Sequence, residues 1–353
     1  MTAATAPTRR LEFDLDAAHE AHEPPEARGV RRDQVRLLVS AGADDPVHAR
    51  FDELGRFLVP GDLLVVNTSA TMPAALDGRL PDGGAAVVHL SGELPGGMWL
   101  VEVRRPTERA SEPWPLTEPV EIGLRDGGRL RLLAPFPGSW RLWLATLELP
   151  EPLAAYLRGR GRAIRYGHVT HEWPITAYQT VFARTPGSAE MPSASRPFTH
   201  ELVTELVVRG VEFAPVVLHT GVSSLEGGEL PYPERFDVPV STARRIVAAR
   251  RDGGRVVAVG TTAVRAVAAV SDDRGHVHPG AGWTDVVVSP EHPVPALDGL
   301  ITGWHEPEST HLMMLESFAG LDVLDAAYRA ALDQGYLWHE FGDSHLILED
   351  RTR

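Results

Sequence analysis

Cysteine is missing from the 353-residue chain. Its absence excludes disulfides, thiolate nucleophiles and cysteine-ligated zinc or iron–sulfur centres. Lysine is missing too, so all 34 basic residues are arginine. That rules out a Schiff-base lysine, lysine-anchored pyridoxal phosphate and the lysine of a phosphate-binding P-loop. Positive charge is also outnumbered: 48 acidic residues against 34 basic ones leave a net charge of −14. Such a balance does not suit a protein that grips nucleic acid over a broad face, although a local patch can still do so. Long apolar runs are absent. The best, Val256–Val270, is interrupted by Arg265 and is too short to span a bilayer. The opening MTAATAPTRR has no apolar core of the kind a signal peptide needs. The expectation is a cytoplasmic protein with no membrane association.

What remains is the composition of a globular protein, 43% hydrophobic and 23% charged, long enough for two domains or one large one. Leu63–Asn67 is a short apolar run bounded by turn formers and reads as a buried strand. From there to Pro150, short apolar or alternating runs such as Trp99–Arg104 and Leu130–Ala134 are separated by Gly, Pro and Asp clusters, the punctuation of a small all-β barrel or sandwich. Residues 151–198 read as mostly irregular and hold one basic cluster, Arg158, Arg160, Arg162 and Arg165. Beyond them strands and helices alternate. Thr199 is placed to cap a helix, and strands are expected at 211–219, 255–259, 286–288 and 300–302. The alternation predicts an α/β domain with parallel strands. The simplest division is an α/β domain of residues 1–60 and 151–353 interrupted by a β-rich domain of residues 61–150.

Four stretches carry side chains suited to chemistry, one of which, AYQTVFARTPGSAEMPSASRPFT (177–199), is a long loop of small and polar residues that reads either as a functional loop or as a surface connection. In VVAVGTTAVRA, an apolar strand delivers Gly260, Thr261 and Thr262 to a helix start whose first turns include Arg265. Amides, hydroxyls and a guanidinium there suit a carboxylate or a ribose; the alternative is a plain turn in which a threonine merely caps. In VVLHTGVSSL, His219 ends a strand before a loop of Gly221, Ser223 and Ser224, a place suited to acid/base work or to an ordinary structural hydrogen bond. In ITGWHEPESTHLMMLESFAG, Trp304 and His305 sit on a loop that Pro307 breaks, and Ser309 or Thr310 caps a new helix. No HExxH spacing and no GxSxG elbow occurs, so no metal site is expected.

Taken in order, these stretches resemble the S-adenosylmethionine:tRNA ribosyltransferase-isomerase family of queuosine biosynthesis. The likeness runs through PGDLLVVNT (60–68), YQTVFA (178–183), PSASRPFT (192–199), LHTG (218–221), VVAVGTTAVRA (256–266), the 305–320 stretch and GDSHLI (342–347). It implies a barrel-like α/β domain with an inserted β-barrel. The implied reaction moves the ribosyl group of S-adenosylmethionine onto the aminomethyl group of a 7-deazaguanine in tRNA and rearranges it to an epoxycyclopentane, releasing adenine and methionine. The sulfonium acidifies the adjacent ribose C–H, so a base is needed there and an acid to help adenine leave. His219 and His305 are the expected catalytic pair. Thr261, Thr262 and Arg265 are expected to hold the methionine carboxylate or ribose hydroxyls, and Trp304 to offer a π-face to the sulfonium. By the same resemblance, Tyr178, Gln179, Thr180, Thr199, Gly221, Glu234, Gly260, Ser309, Thr310 and Asp343 belong to the binding site, with S-adenosylmethionine as co-substrate and no metal.

The chain departs from the family pattern at telling places. NDTRVIPARL becomes NTSATMPAAL, with Ala70 and Ala75 in place of arginines. Pro197 and Tyr232 replace histidines, Glu308 replaces a lysine and His311 a leucine. Between 301 and 350 ten acidic residues face a single arginine, Arg329, which weakens phosphate binding. The acceptor is therefore expected to be tRNA, docked on the Arg158–Arg165 cluster, or a small deazapurine-like molecule. A binding protein that keeps the fold without catalysis is the reading from another class. A monomer is the expected state.

Overall fold

The computed structural model describes residues 11–42, 44–108, 110–222, 232–307 and 309–349. Ser223, Ser224 and Glu308, singled out above, lie outside them. In chain order the first strands are β1 (Arg36–Ala41), β2 (Val47–Arg50) and β3 (Leu63–Asn67). A run of short strands follows: β4 (Ser69–Thr71), β5 (Ala75–Arg79), β6 (Ala85–Leu94), β7 (Met98–Pro106), β8 (Ser111–Pro113), β9 (Glu121–Leu124), β10 (Arg129–Pro135) and β11 (Leu142–Glu148). Helix α1 (Leu153–Arg160), β12 (Gly161–Arg162), β13 (Thr185–Ser188) and α2 (His200–Val208) lead into the second half. There β14 (Glu212–Leu218), β15 (Glu234–Val238), α3 (Val240–Arg251), β16 (Val256–Val259), α4 (Thr261–Ala268), β17 (Gly280–Thr284) and β18 (Gly299–Gly303) precede α5 (His311–Ala319), α6 (Leu321–Asp333) and β19 (Ser344–Leu348).

One sheet has nine strands in the order β17-β15-β14-β3-β16-β18-β19-β1-β2. Its centre is parallel, with β3 between β14 and β16 and β18 beyond. Every residue of β3 and β16 is buried, as expected where helices or loops cover both faces of parallel strands. Because side chains alternate along a strand, Leu63 and Val65 face α3 and α4 while Leu64 and Val66 face Phe198 and α2. The second sheet closes on itself. Strands β5, β6, β7, β11, β10 and β9 form a six-stranded antiparallel ring, with β11 pairing β7 and β9 pairing β5. Closure leaves no open edge in the ring. Its interior is lined by apolar side chains such as Val101, Val103, Leu130 and Leu132, while Glu102, on the opposite face of β7, is fully buried between Arg104 (2.6 Å) and Arg141 (3.2 Å), a burial that only paired charge tolerates.

The α/β body with a β-barrel is thus present, but the expected seam at residue 61 does not mark a change of sheet. Leu63–Asn67 is apolar on both faces and belongs to the nine-stranded sheet, and the ring begins only at Ala75. At the other end α1 packs Tyr156 and Leu157 into the barrel core, so the chain past residue 150 is not irregular at first. Residues 286–288 form no ladder; they line a cleft instead. Among the described residues no helix is long and apolar enough to cross a membrane.

Candidate active site

A cleft of about 670 Å³ opens where β16 and β18 end, and the barrel side closes it with Tyr166, Tyr232 and Arg104. That volume suits a small organic ligand. Gly260 turns the chain from β16 into α4 at φ 93°, a conformation that side chains with a Cβ avoid. The turn aims the first residues of α4, Thr261 and Thr262, into the cleft lining, with Arg265 one turn on. Among the described residues, the hydroxyl of Thr262 and the Nε of Arg265 are buried without a hydrogen-bond partner. Arg265 is ion-paired with Glu234 and also donates to the Thr284 carbonyl at 3.3 Å. Glu234 in turn accepts the Gly221 amide at 2.8 Å. Gly221 is a close-approach position, since a Cβ there would lie 2.2 Å from the Tyr232 hydroxyl.

The loop after β18 forms the neighbouring wall. Its shape is fixed by three bonds: Thr302 Oγ1 with His305 Nε2 at 2.9 Å, the His305 amide to Tyr328 at 3.3 Å, and Trp338 Nε1 to the His305 carbonyl at 3.0 Å. Burial, then the neighbouring His311, holds the His305 imidazole well below its ordinary range. His311 packs its ring 4.6 Å from that of His305 and is lowered to about 4 by burial and by Arg265. Both rings are therefore neutral near pH 7. Ser309 shares a 3.3 Å bond with His311 Nδ1, and Thr310 lines the same wall before α5. Tyr178 lines the cleft with its hydroxyl unpartnered, and burial raises its pKa.

Not every expected residue reaches this space. His219 lines a smaller adjoining hollow of about 100 Å³. Its Nδ1 shares a 2.7 Å bond with Ser69, which also bonds Ser188 at 2.6 Å, and burial with Arg235 lowers it to about 4. Trp304 does line the main cleft, but it is 3% exposed and stacks flat on His345 at 4.9 Å, beside Tyr328, Tyr336 and Trp338, so one face of its ring is taken up by that imidazole. Gln179 clamps the backbone of Thr71, accepting at 3.1 Å and donating at 2.7 Å. Thr180 accepts from the Phe182 amide. Thr199 caps α2 through the Leu202 amide at 3.1 Å and donates to Asp33. Asp343 accepts the amides of Arg36 and Leu337 at 2.7 and 2.8 Å. These four residues shape the walls from behind.

The basic cluster is also differently employed. Arg160 pairs with Asp126 and Glu151, and Arg162 with Asp77 and Glu172. Four acids, of which Asp77 and Asp126 come from the barrel, thus neutralise half of the expected patch.

Sequence reasoning passed over one wall altogether. His168 and Tyr166, from the stretch read as irregular, line the cleft together with His339, Glu340 and Glu190. Tyr166 donates to Glu190. His168 stacks on His339 at 3.9 Å and bonds Glu340 at 2.7 Å. Only the placing of Glu340 beside the GDSHLI motif hinted at this wall.

Comparisons with known proteins identify the family. A family model described as "Queuosine biosynthesis protein" matches residues 8–347. A protein of Symbiobacterium thermophilum named S-adenosylmethionine:tRNA ribosyltransferase-isomerase is 37% identical, over 96% of this chain and 100% of the relative. One of the same name from Moorella thermoacetica is 35% identical, over 96% and 98%. The crystal structure of an S-adenosylmethionine tRNA ribosyltransferase from Thermotoga maritima superposes with a TM-score of 0.54 at 28% identity, covering 96% of this chain and 99% of that one. With a model match across nearly the whole chain and relatives above 30% identity end to end, the chain belongs to the queuosine biosynthesis protein family.

Proposed function

We propose that this chain is an S-adenosylmethionine:tRNA ribosyltransferase-isomerase, taking ribose from S-adenosylmethionine to the aminomethyl group of a 7-deazaguanine in tRNA and releasing adenine and methionine. The observation that carries the reading is the meeting of the Gly260–Arg265 and Thr302–Thr310 segments on one cleft, in a chain of this family. The first turn of α4 offers amides and the unpartnered Thr262 hydroxyl to the donor's carboxylate or ribose. Arg265 enters as an ion pair with Glu234, so it adds directional donors more than net charge. His305, held neutral by burial, is suited to accept the ribose proton that the sulfonium acidifies. The α/β body serves as the catalytic unit and the ring of residues 75–148 as an insertion that closes the cleft. The enzyme acts as a cytoplasmic monomer.

The test is incubation with S-adenosylmethionine and tRNA carrying 7-aminomethyl-7-deazaguanine, with the free base offered in parallel. Adenine release and a matching mass gain on the tRNA nucleoside are expected. A mass gain on the free base alone would move the acceptor to the small molecule, and no adenine under either condition would sink the reading.

A further inference from the structure

Four imidazoles line the cleft, those of His168, His305, His311 and His339, and they are not equivalent. His305 is tied through Nε2 to the Thr302 hydroxyl. His311 meets Ser309. His339, whose backbone is held at φ 71°, a conformation costly for a side chain of that size, lies flat against His168 with ring centroids 3.9 Å apart and planes 13° apart. Among the described residues, His168 is the one of the four with a carboxylate on a ring nitrogen at full hydrogen-bond contact, Glu340 Oε2 at 2.7 Å from Nε2. Tyr166 stacks on the same imidazole at 6.3 Å and 21°. The ring is thus fixed between neighbours, oriented by a carboxylate, and part of the cleft lining.

A carboxylate on one nitrogen of an imidazole sets its tautomer and stabilises the imidazolium. With Nε2 committed to Glu340, Nδ1 is the nitrogen left to exchange a proton. The charged groups around the ring favour the protonated form. Glu340 and His339 face it from the segment before β19, Glu20 from the N-terminal segment, Glu306 from the loop after β18, and Tyr166 with its partner Glu190 from its own side. Burial alone would depress His168, but the Glu340 hydrogen bond and charge, with Glu20 and Glu306, outweigh it and raise the pKa. His305, His311 and His339 move the other way. Three neutral imidazoles are poor proton donors at neutral pH, and the reaction needs one.

We propose that His168 is the general acid that protonates the departing adenine, and that Glu340 is its positioning residue. This inference rests on the transferase reading given above. As the bond between the ribose carbon and the adenine ring nitrogen breaks, its electron pair stays on nitrogen and the Nδ1 proton passes to the base. The imidazole, left neutral, takes its next proton from water, while Glu340 keeps the Nε2 proton hydrogen-bonded.

The experiment compares wild type, His168→Gln and Glu340→Gln for adenine release from S-adenosylmethionine with precursor tRNA, across pH 5–9, with thermal unfolding of each protein as the check on folding. General acids contribute roughly 10²–10⁴-fold. His168→Gln is expected to lose about 10²-fold or more in kcat with the KM for S-adenosylmethionine nearly unchanged, and to lose the alkaline limb of the kcat profile. Glu340→Gln, about 10-fold slower on the same scale, is expected to keep that limb but move it to lower pH. A folded His168→Gln protein with wild-type kcat, or a loss confined to KM, overturns the proposal. Should His168→Gln not fold, Glu340→Gln decides alone: a shifted limb supports the role and an unmoved one overturns it. An inactive wild type brings down the transferase reading and this inference with it, whereas an active wild type with unaffected variants brings down the inference alone.

Discussion

At the scale of single residues, the two expected catalytic histidines separate. His219 directly follows β14, which made it a natural candidate, yet its Nδ1 is spent on Ser69 and its ring lies so close to Gly187 that a Cβ there would sit 2.4 Å away. Ser69 and Ser188 are themselves buried, so removing the imidazole takes from a buried hydroxyl, Ser69, one of its two partners and leaves it Ser188. His219→Ala is expected to cost about 1–3 kcal/mol of folding stability, the usual cost of taking a partner from a buried polar group, and to retain adenine release within about 10-fold, well short of the loss of an acid or base. Denaturant unfolding and the adenine assay on the same preparation check both halves. A stable variant with a loss of 10³-fold or more would return His219 to the catalytic machinery. The sequence could name His219 and His305 because each follows an apolar strand. It could not distinguish them, because the difference lies in Ser69 and Gly187, which reach His219 only through folding. His168 and Glu340 were invisible for the same reason: they are 172 residues apart in the chain and 2.7 Å apart in space.

At the scale of elements, the strand-to-helix joints were the most legible part of the chain. The run from Val256 to Thr262 reads directly as a buried strand, a glycine turn and a helix start, and that is what β16, Gly260 and α4 are. Short apolar runs separated by turn formers likewise reported the barrel. The seam failed at Leu63–Asn67, since a strand apolar on both faces looks alike in either sheet. Residues 286–288 failed as a strand because three valines satisfy a β pattern while their burial, partial at Val286 and nearly complete at Val288, comes from the cleft wall. The start of α4 also yields a test that separates binding from stability. The Thr262 hydroxyl is buried with no hydrogen-bond partner among the described residues, so folding gains nothing from it there. Thr262→Val keeps the shape and deletes only the hydroxyl. Its unfolding midpoint should be unchanged or slightly higher, while KM for S-adenosylmethionine should rise by about 3- to 10-fold, the worth of one hydrogen bond. An unchanged KM would mean that the donor never reaches this hydroxyl.

For the whole molecule, the notable electrostatic feature is how many imidazoles folding holds neutral. Burial lowers His219 and His311 to about 4 and His345 to about 3. His89, buried opposite Glu102 in the barrel wall, and His305 are pushed down well below the ordinary range, and His339 is lowered too. Each of these six takes up a proton in the unfolded chain below about pH 6.5 but not in the native protein until much lower pH. The unfolded state therefore binds more protons across this window, and stability must fall as pH drops through it. His168 has the opposite sign, since its raised pKa contributes stability that is complete below about 6.5 and lost as pH rises through the folded value. One group cannot balance six. Each depressed histidine contributes at most about 1.4 kcal/mol per pH unit, so urea unfolding should show a loss of roughly 3 kcal/mol or more between pH 6.5 and 5, before most carboxylates titrate. His345 is the cleanest probe, being wholly buried, stacked on Trp304, and hydrogen-bonded among the described residues to Ser40 alone, at 2.9 Å. His345→Gln should lower stability at pH 7 yet flatten the slope between pH 6.5 and 5 by about one proton. An identical slope in the variant would show that His345 is not among the groups that acid must charge to unfold the protein.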